Sequence, residues 1–275
     1  MCYNGFRHAS SRKSLPANGA RSMFSSMHLL ILVFCAVFIV AITVYAVKKR
    51  VPLRKMLSFM VGVTIFGELM KVFSRIIVQD GAALLSVEFL PLHLCSIQIF
   101  ALWFLRFFNK SPQTEKTLLA FMYPTMLVGG AAALLIATVT PISLANPEIY
   151  EYFVYHASVV AFGLYIPLTK QVDFTWKRLG KTMAILAILF FFSIYFNAMF
   201  SQGIYRANFF YSSFPPLPGL PYLNFSFFGR TLSSEKLGWI WYLVKLVFLG
   251  FVVILSCYAP FLIKNARIKK ASDIA

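Results

Sequence analysis

Apolar residues in this chain come in long blocks. They form neither the one-sided stripe of a surface helix nor the strict alternation of a half-buried strand. The first block runs from Met27 to Val47, and the basic run Lys48, Lys49, Arg50, Arg54 and Lys55 closes it. Further blocks cover Met56 to Val78, Glu88 to Phe108, Thr117 to Thr140, Tyr150 to Leu168, Lys181 to Phe200 and Leu237 to Ile263. Each approaches the roughly 20 residues that a helix needs to cross a bilayer. The pattern therefore predicts an all-α, polytopic transmembrane bundle of seven spans over residues 27–263. A Ser-rich basic tail over 1–26 is expected to be disordered, and a basic cytoplasmic tail is expected over 264–275. The first block is too long for a signal-peptide core and reads as an anchor. A long aromatic and Pro-rich loop, Ser201 to Ser234, separates spans six and seven, and no internal repeat is visible.

Composition strengthens this picture. Hydrophobic residues make up 59% of the chain and charged residues 13%, about half the share in a soluble domain. A net charge of +17 on a soluble fold would point to nucleic acid. Here the basic residues sit in short clusters between apolar blocks, leaving no basic face of a soluble fold to carry such a partner. They read as orientation signals. Loops after spans one, three and five and the C-terminal tail hold most of them, whereas Asp80, Glu88, Glu148 and Glu151 border the loops after spans two and four. The bias puts the C-terminus in the cytoplasm and the N-terminus outside, against the basic residues Arg7, Arg12, Lys13 and Arg21 of the tail. A start at Met23 or Met27 would remove that conflict. Cys2, Cys35, Cys95 and Cys257 form no CxxC pair, and no disulfide framework is implied.

Ionisable groups inside a membrane are costly and normally face a partner or a wet cavity. The stretch Glu88-Phe-Leu-Pro-Leu-His-Leu-Cys95 places Pro91 where a helix's first turn tolerates it. His93 and Cys95 would follow on about the second turn, where exposed N–H groups favour an anion. Cys95 is seven residues beyond Glu88 and His156 is five beyond Glu151, about 10 Å and 8 Å along their helices, so they share a depth. Glu68, Lys71 and Arg75 lie on one face of the second span at spacings of three and four, and Asn197 ends the sixth span near the same level. A polar cavity open toward the outer leaflet would account for all of them.

Each residue also has a plainer reading. Glu68, Lys71 and Arg75 can form a salt-bridged clamp as readily as bind a phosphate. Buried Cys is often a small packing residue, and a lone His on an apolar helix is often a structural hydrogen-bonder. His93 and Cys95 are too close in sequence to face one another on a regular helix, which makes His156 the better partner for Cys95. A metal held by His93, Cys95 and His156 lacks a clear ligand pattern, and no cofactor is implied. Trp239, Trp241 and Tyr242 read as interfacial anchors.

Leu90-Pro-Leu-His-Leu-Cys95 resembles the signature of the YwaF family of integral membrane proteins. Asn197 followed by Asn208-Phe-Phe-Tyr211, and Gly238-Trp-Ile-Trp-Tyr242, look similar as well. The resemblance covers most of the chain from span two onward, and the basic tail and Lys245 depart from it. That family is similar to a eukaryotic multi-span acyltransferase that makes polyunsaturated ether phospholipids, and more distantly to membrane ester hydrolases that use Thr and His. The resemblance implies a Cys nucleophile and a His base, which map to Cys95 and His156. The expected function is thus a lipid acyltransferase or lipid-ester hydrolase of the plasma membrane, acting on membrane phospholipids. His93, Glu68, Lys71, Arg75 and Asn197 are expected to contact substrate. The alternative is a small transporter or substrate-binding membrane protein without covalent chemistry.

Overall fold

A computed structural model of the chain describes residues 24–78, 87, 90–137, 139, 142, 144–145, 147–201, 207–213 and 235–272. The expected disordered tail lies almost wholly outside the described residues, as do Asp80, Glu88 and most of the loop between the last two spans. Helices α1 (Ser26–Lys48), α2 (Leu53–Val78), α3 (Gln98–Trp103), α4 (Pro112–Leu135), α5 (Pro147–Leu168), α6 (Trp176–Phe200) and α7 (Glu235–Ser272) form an all-helical bundle. Five of them, all but α3 and α5, are long and apolar enough to cross a membrane.

Local chemistry sets several of the ends. Ser25, Ser111 and Thr175 cap α1, α4 and α6 by accepting the N–H groups of His28, Thr114 and Arg178. The Thr175 cap starts α6 five residues ahead of the expected Lys181. Helix α7 continues through Pro260 to Ser272, so the first part of the expected tail is helical.

The third expected span is corrected by the structure. Residues 90–97 form bends and turns, and only Gln98–Trp103 and a π-helical turn over Phe104–Phe108 are helical. These 11 residues reach about 16 Å, roughly half of a bilayer's hydrocarbon thickness. Mixed hydrogen bonding explains the irregular entry: Ile97 donates to His93 O, whereas Gln98 and Ile99 donate to Cys95 O and Ser96 O, only three residues back. The Cys95 carbonyl also accepts the Tyr155 hydroxyl of α5 at 2.7 Å. A carbonyl held by another helix is drawn out of the regular i→i+4 ladder. His93 and Cys95 therefore precede the helix and do not occupy its second turn. At the observed helix start the N–H groups of Ile97, Gln98 and Ile99 are already spent on these carbonyls.

Helix α5 lies at the centre, packed against α1, α2 and α4. Its Glu148, Glu151 and His156 lower its hydropathy without harm, because its sides meet protein on several faces. Two glycines let α4 and α5 approach closely. A Cβ on Gly163 would lie 2.9 Å from Leu127 N, and one on Gly130 would lie 2.8 Å from Val160 Cγ2 and 3.2 Å from His156 O. Gly163→Ala should therefore push two helix backbones apart and lower stability by about 1–3 kcal/mol. Gly180→Ala meets no atom within 4 Å and should stabilise by up to about 1 kcal/mol through helix propensity. Thermal unfolding of the two variants side by side checks the contrast.

The helices are tied further down by an exchange at Pro124, inside α4. Proline has no N–H to give to the carbonyl four residues back. That carbonyl, on Ala120, instead accepts the buried Tyr258 hydroxyl of α7 at 2.8 Å, and Tyr258 also meets Thr182 Oγ1 of α6 at 2.8 Å. One tyrosine thus joins three helices. Arg106 donates to Ser58 Oγ at 2.7 Å, and Lys116 pairs with Asp173 at 3.7 Å across the same end of the bundle.

Candidate functional site

At the opposite end, the polar groups picked out by sequence converge from α2, the turn before α3, α5 and the end of α6. Two neighbouring glycines of α4 mark their level. A Cβ on Gly129 would lie 3.1 Å from Cys95 Sγ, and Gly130 faces the backbone of His156. Cys95 and His156, 61 residues apart in sequence, therefore flank the same turn of α4. Gly129 also leaves the sulfur the room that any side chain would fill. One turn on in α4, Ala133 O accepts the Tyr152 hydroxyl of α5 at 2.8 Å.

His156 has a defined hydrogen-bonding state. Its Nδ1 lies 2.7 Å from Tyr152 O, one helical turn back. A carbonyl only accepts, so Nδ1 carries the proton, and in the neutral ring Nε2 keeps its lone pair. The ring lies between Tyr152 and Tyr155, with centroids at 4.4 Å and 5.3 Å. Tyr155, next to His156 in sequence, holds the Cys95 turn through its hydroxyl. Adjacent residues of α5 thus carry the imidazole and anchor the thiol's backbone. Neither tyrosine was singled out in the sequence. The available signal was their spacing, one and four residues before a histidine.

Lys71 lies in an ion-pair network. It contacts Glu68 Oε1 at 2.8 Å and Glu151 Oε1 at 3.8 Å, and its side chain and that of Glu151 are only 13% and 12% exposed. Gly67 gives Glu151 its place, with a Cβ there reaching within 3.4 Å of Glu151 Cγ. Glu151 is the clamp's third member; the sequence showed it only as a loop-bordering charge. Arg75 follows Lys71 on α2 by one turn, and its side chain lies outside the described residues.

His93 is covered by the turn after α6. Its ring meets Phe209 edge-on at 5.4 Å and Tyr211 at 5.9 Å. That turn is strained, because Phe210 and Tyr211 have φ of 56° and 53°, a region costing a bulky residue about 1–3 kcal/mol. Asn197 holds it: its amide donates to Phe209 O and Ser212 Oγ and accepts from Phe209 N, at 2.7–3.0 Å. Trp239 and Tyr242 donate to Ser212 O and Tyr211 O. Asn197 is buried with its amide committed to this turn, and the expected interfacial anchors Trp239 and Tyr242 clamp the same segment.

Beside the turn is an apolar groove of about 220 Å³ lined by Leu92, Ile97, Leu189, Phe192, Phe196 and Phe210, with Ser193. Leu92 and Ile97 bracket His93 and Cys95, so one wall of the groove is the same turn that carries the thiol. Among the described residues, no three His, Cys, Asp or Glu side chains gather as metal ligands.

The family model of the TMEM164 family matches residues 23–258. No curated protein and no solved structure matches the chain.

Proposed function

The chain belongs to the TMEM164 family of multi-span membrane proteins, and on that premise we propose that it is a membrane lipid acyltransferase or lipid-ester hydrolase. The observation that carries the reading is the pairing on α5 of Tyr155, which holds the Cys95 turn, with His156, whose Nε2 is left as a base. In this reading Nε2 takes the Cys95 proton and the thiolate attacks the carbonyl carbon of a phospholipid ester. The ester C–O bond breaks, the imidazolium protonates the departing alkoxide, and an acyl-thioester remains on Cys95. A hydroxyl of a lysolipid or of water then takes the acyl group, with His156 acting as base in the return direction.

The groove along Leu92, Ile97 and Phe196 suits the departing or arriving acyl chain, being apolar and continuous with the thiol-bearing turn. His93 is the candidate donor to the developing oxyanion, since the nearest helix-start N–H groups are committed. A headgroup phosphate at Lys71 would share the ammonium with two carboxylates, so Lys71 contributes less to phosphate binding than an unpaired cation would. The proposed setting is the plasma membrane. Lipid mass spectrometry of membranes carrying wild type or Cys95→Ala tests the reading. Wild type should shift the acyl composition of phospholipids or release fatty acid, and Cys95→Ala should match membranes lacking the protein. A full wild-type lipid effect from Cys95→Ala would overturn it.

A further inference from the structure

Three residues beyond each end of the Cys95–Tyr155 bridge the protein leaves a polar atom without a hydrogen-bond partner. Gln98 follows Cys95 by three residues and Ser158 follows Tyr155 by three. Both side chains are fully buried, and Gln98 Oε1 and Ser158 Oγ have no partner. The Gln98 amide faces Thr125 of α4. Its Nε2 donates to Thr125 Oγ1 at 2.8 Å, and that hydroxyl donates to Phe121 O at 2.8 Å. The carbonyl end of Gln98 is therefore the end left over. Ser158 likewise makes no bond to the carbonyl one turn back, where a helical serine usually turns. Its spacing from Glu151 and Tyr155 puts it on the α5 face that meets α2 and the Cys95 turn. Buried polar atoms without a protein partner are normally satisfied by ordered water, which needs two or more polar neighbours.

We infer that Gln98 and Ser158 hold a water molecule beneath the Cys95–Tyr155 bridge, and that this water takes the acyl group when the protein hydrolyses an ester. The second half rests on the thiol reading above. The water oxygen attacks the thioester carbonyl carbon, the C–S bond breaks, and the proton passes by way of His156 Nε2 to the Cys95 sulfur. The products are a fatty acid and the restored thiol. Gln98 and Ser158 are positioning residues in this step, and they set how acyl groups divide between water and a lipid hydroxyl.

The test uses the full chain in lipid nanodiscs, with Gln98→Met, Ser158→Ala and the double variant. A shared water predicts that each single variant lowers the unfolding midpoint and that the double variant falls short of their sum. Two unrelated orphan atoms predict that each apolar replacement raises the midpoint, with additive effects, and that result would overturn the water site. In the activity arm, supplied with a labelled phospholipid and a lysophospholipid acceptor, the double variant should release fatty acid about tenfold more slowly, the rate equivalent of a lost hydrogen bond to a reacting group. Transfer to the lysophospholipid should persist. Equal loss of both products would overturn the assignment of the water as nucleophile. An inactive wild type would count against the thiol reading and leave the unfolding arm to decide the water.

Discussion

His156→Gln is expected to lower turnover of a phospholipid ester by about 10³–10⁴-fold, the size of effect seen when the base of a nucleophile–base pair is removed. Glutamine keeps a neutral polar group of similar bulk between Tyr152 and Tyr155 while the base at Nε2 is gone. The far-ultraviolet spectrum and unfolding midpoint should change little. The Tyr155 bond to Cys95 O lies on the neighbouring residue and gives a second handle. If His156 only braced α5, the same variant would alter stability and spare turnover. Initial rates on a labelled phospholipid, measured beside unfolding curves, separate the two roles.

Lys71→Met should be the most damaging single change to the fold at this end of the bundle. The methionine fills the lysine's stem but leaves Glu151, 12% exposed, without its cation and close to Glu68. Removing one partner of a buried ion pair typically costs about 3–5 kcal/mol, because a charge is left uncompensated. Glu151→Gln in the Lys71→Met background should recover much of that loss by taking away the stranded charge. The cost should be larger above the pH at which Glu151 ionises. Denaturation of the single and double variants gives the coupling directly. A surface-type effect below about 1 kcal/mol would mean that the α2–α5 clamp carries little of the packing.

What the sequence made legible follows from which physical signals are local. Apolar blocks of bilayer length located α1, α2, α4, α5, α6 and α7 to within a few residues at most ends. Helix caps such as Thr175 moved the boundaries that apolarity alone misjudged. The third block misled because composition does not report hydrogen bonding. Its residues are greasy enough to span, yet the Cys95 carbonyl is taken by Tyr155 and the helix starts only at Gln98. No pattern within residues 88–108 carries that information, since the partner lies 60 residues away.

The site was legible by kind more than by contact. Intramembrane charge and the two reactive side chains drew attention to Lys71, Cys95 and His156 from their cost alone. Depth counting put Cys95 and His156 at one level on the premise of a helix from Glu88, whereas residues 90–97 are bends and turns. The two meet neighbouring Gly129 and Gly130 of α4 through the Cys95 sulfur and the His156 carbonyl. The partners that define their state were not visible. Tyr152 O fixes the imidazole proton, Tyr155 holds the thiol's backbone, and Glu151 completes the clamp, each through tertiary geometry. Asn197 shows the converse. A polar residue at the right depth reads as substrate-facing, but three hydrogen bonds to residues 209 and 212 commit it to a strained turn.

A covalent acyl intermediate on the Cys95 sulfur is read directly by peptide mass spectrometry. Purified protein is incubated with phosphatidylcholine bearing a deuterated acyl chain, quenched in acid and digested. The expected result is a deuterated acyl adduct on the Cys95 peptide that neutral hydroxylamine removes and that is lost in His156→Gln. An unmodified Cys95 peptide from protein that is turning over lipid, or an adduct on any other residue, would contradict it.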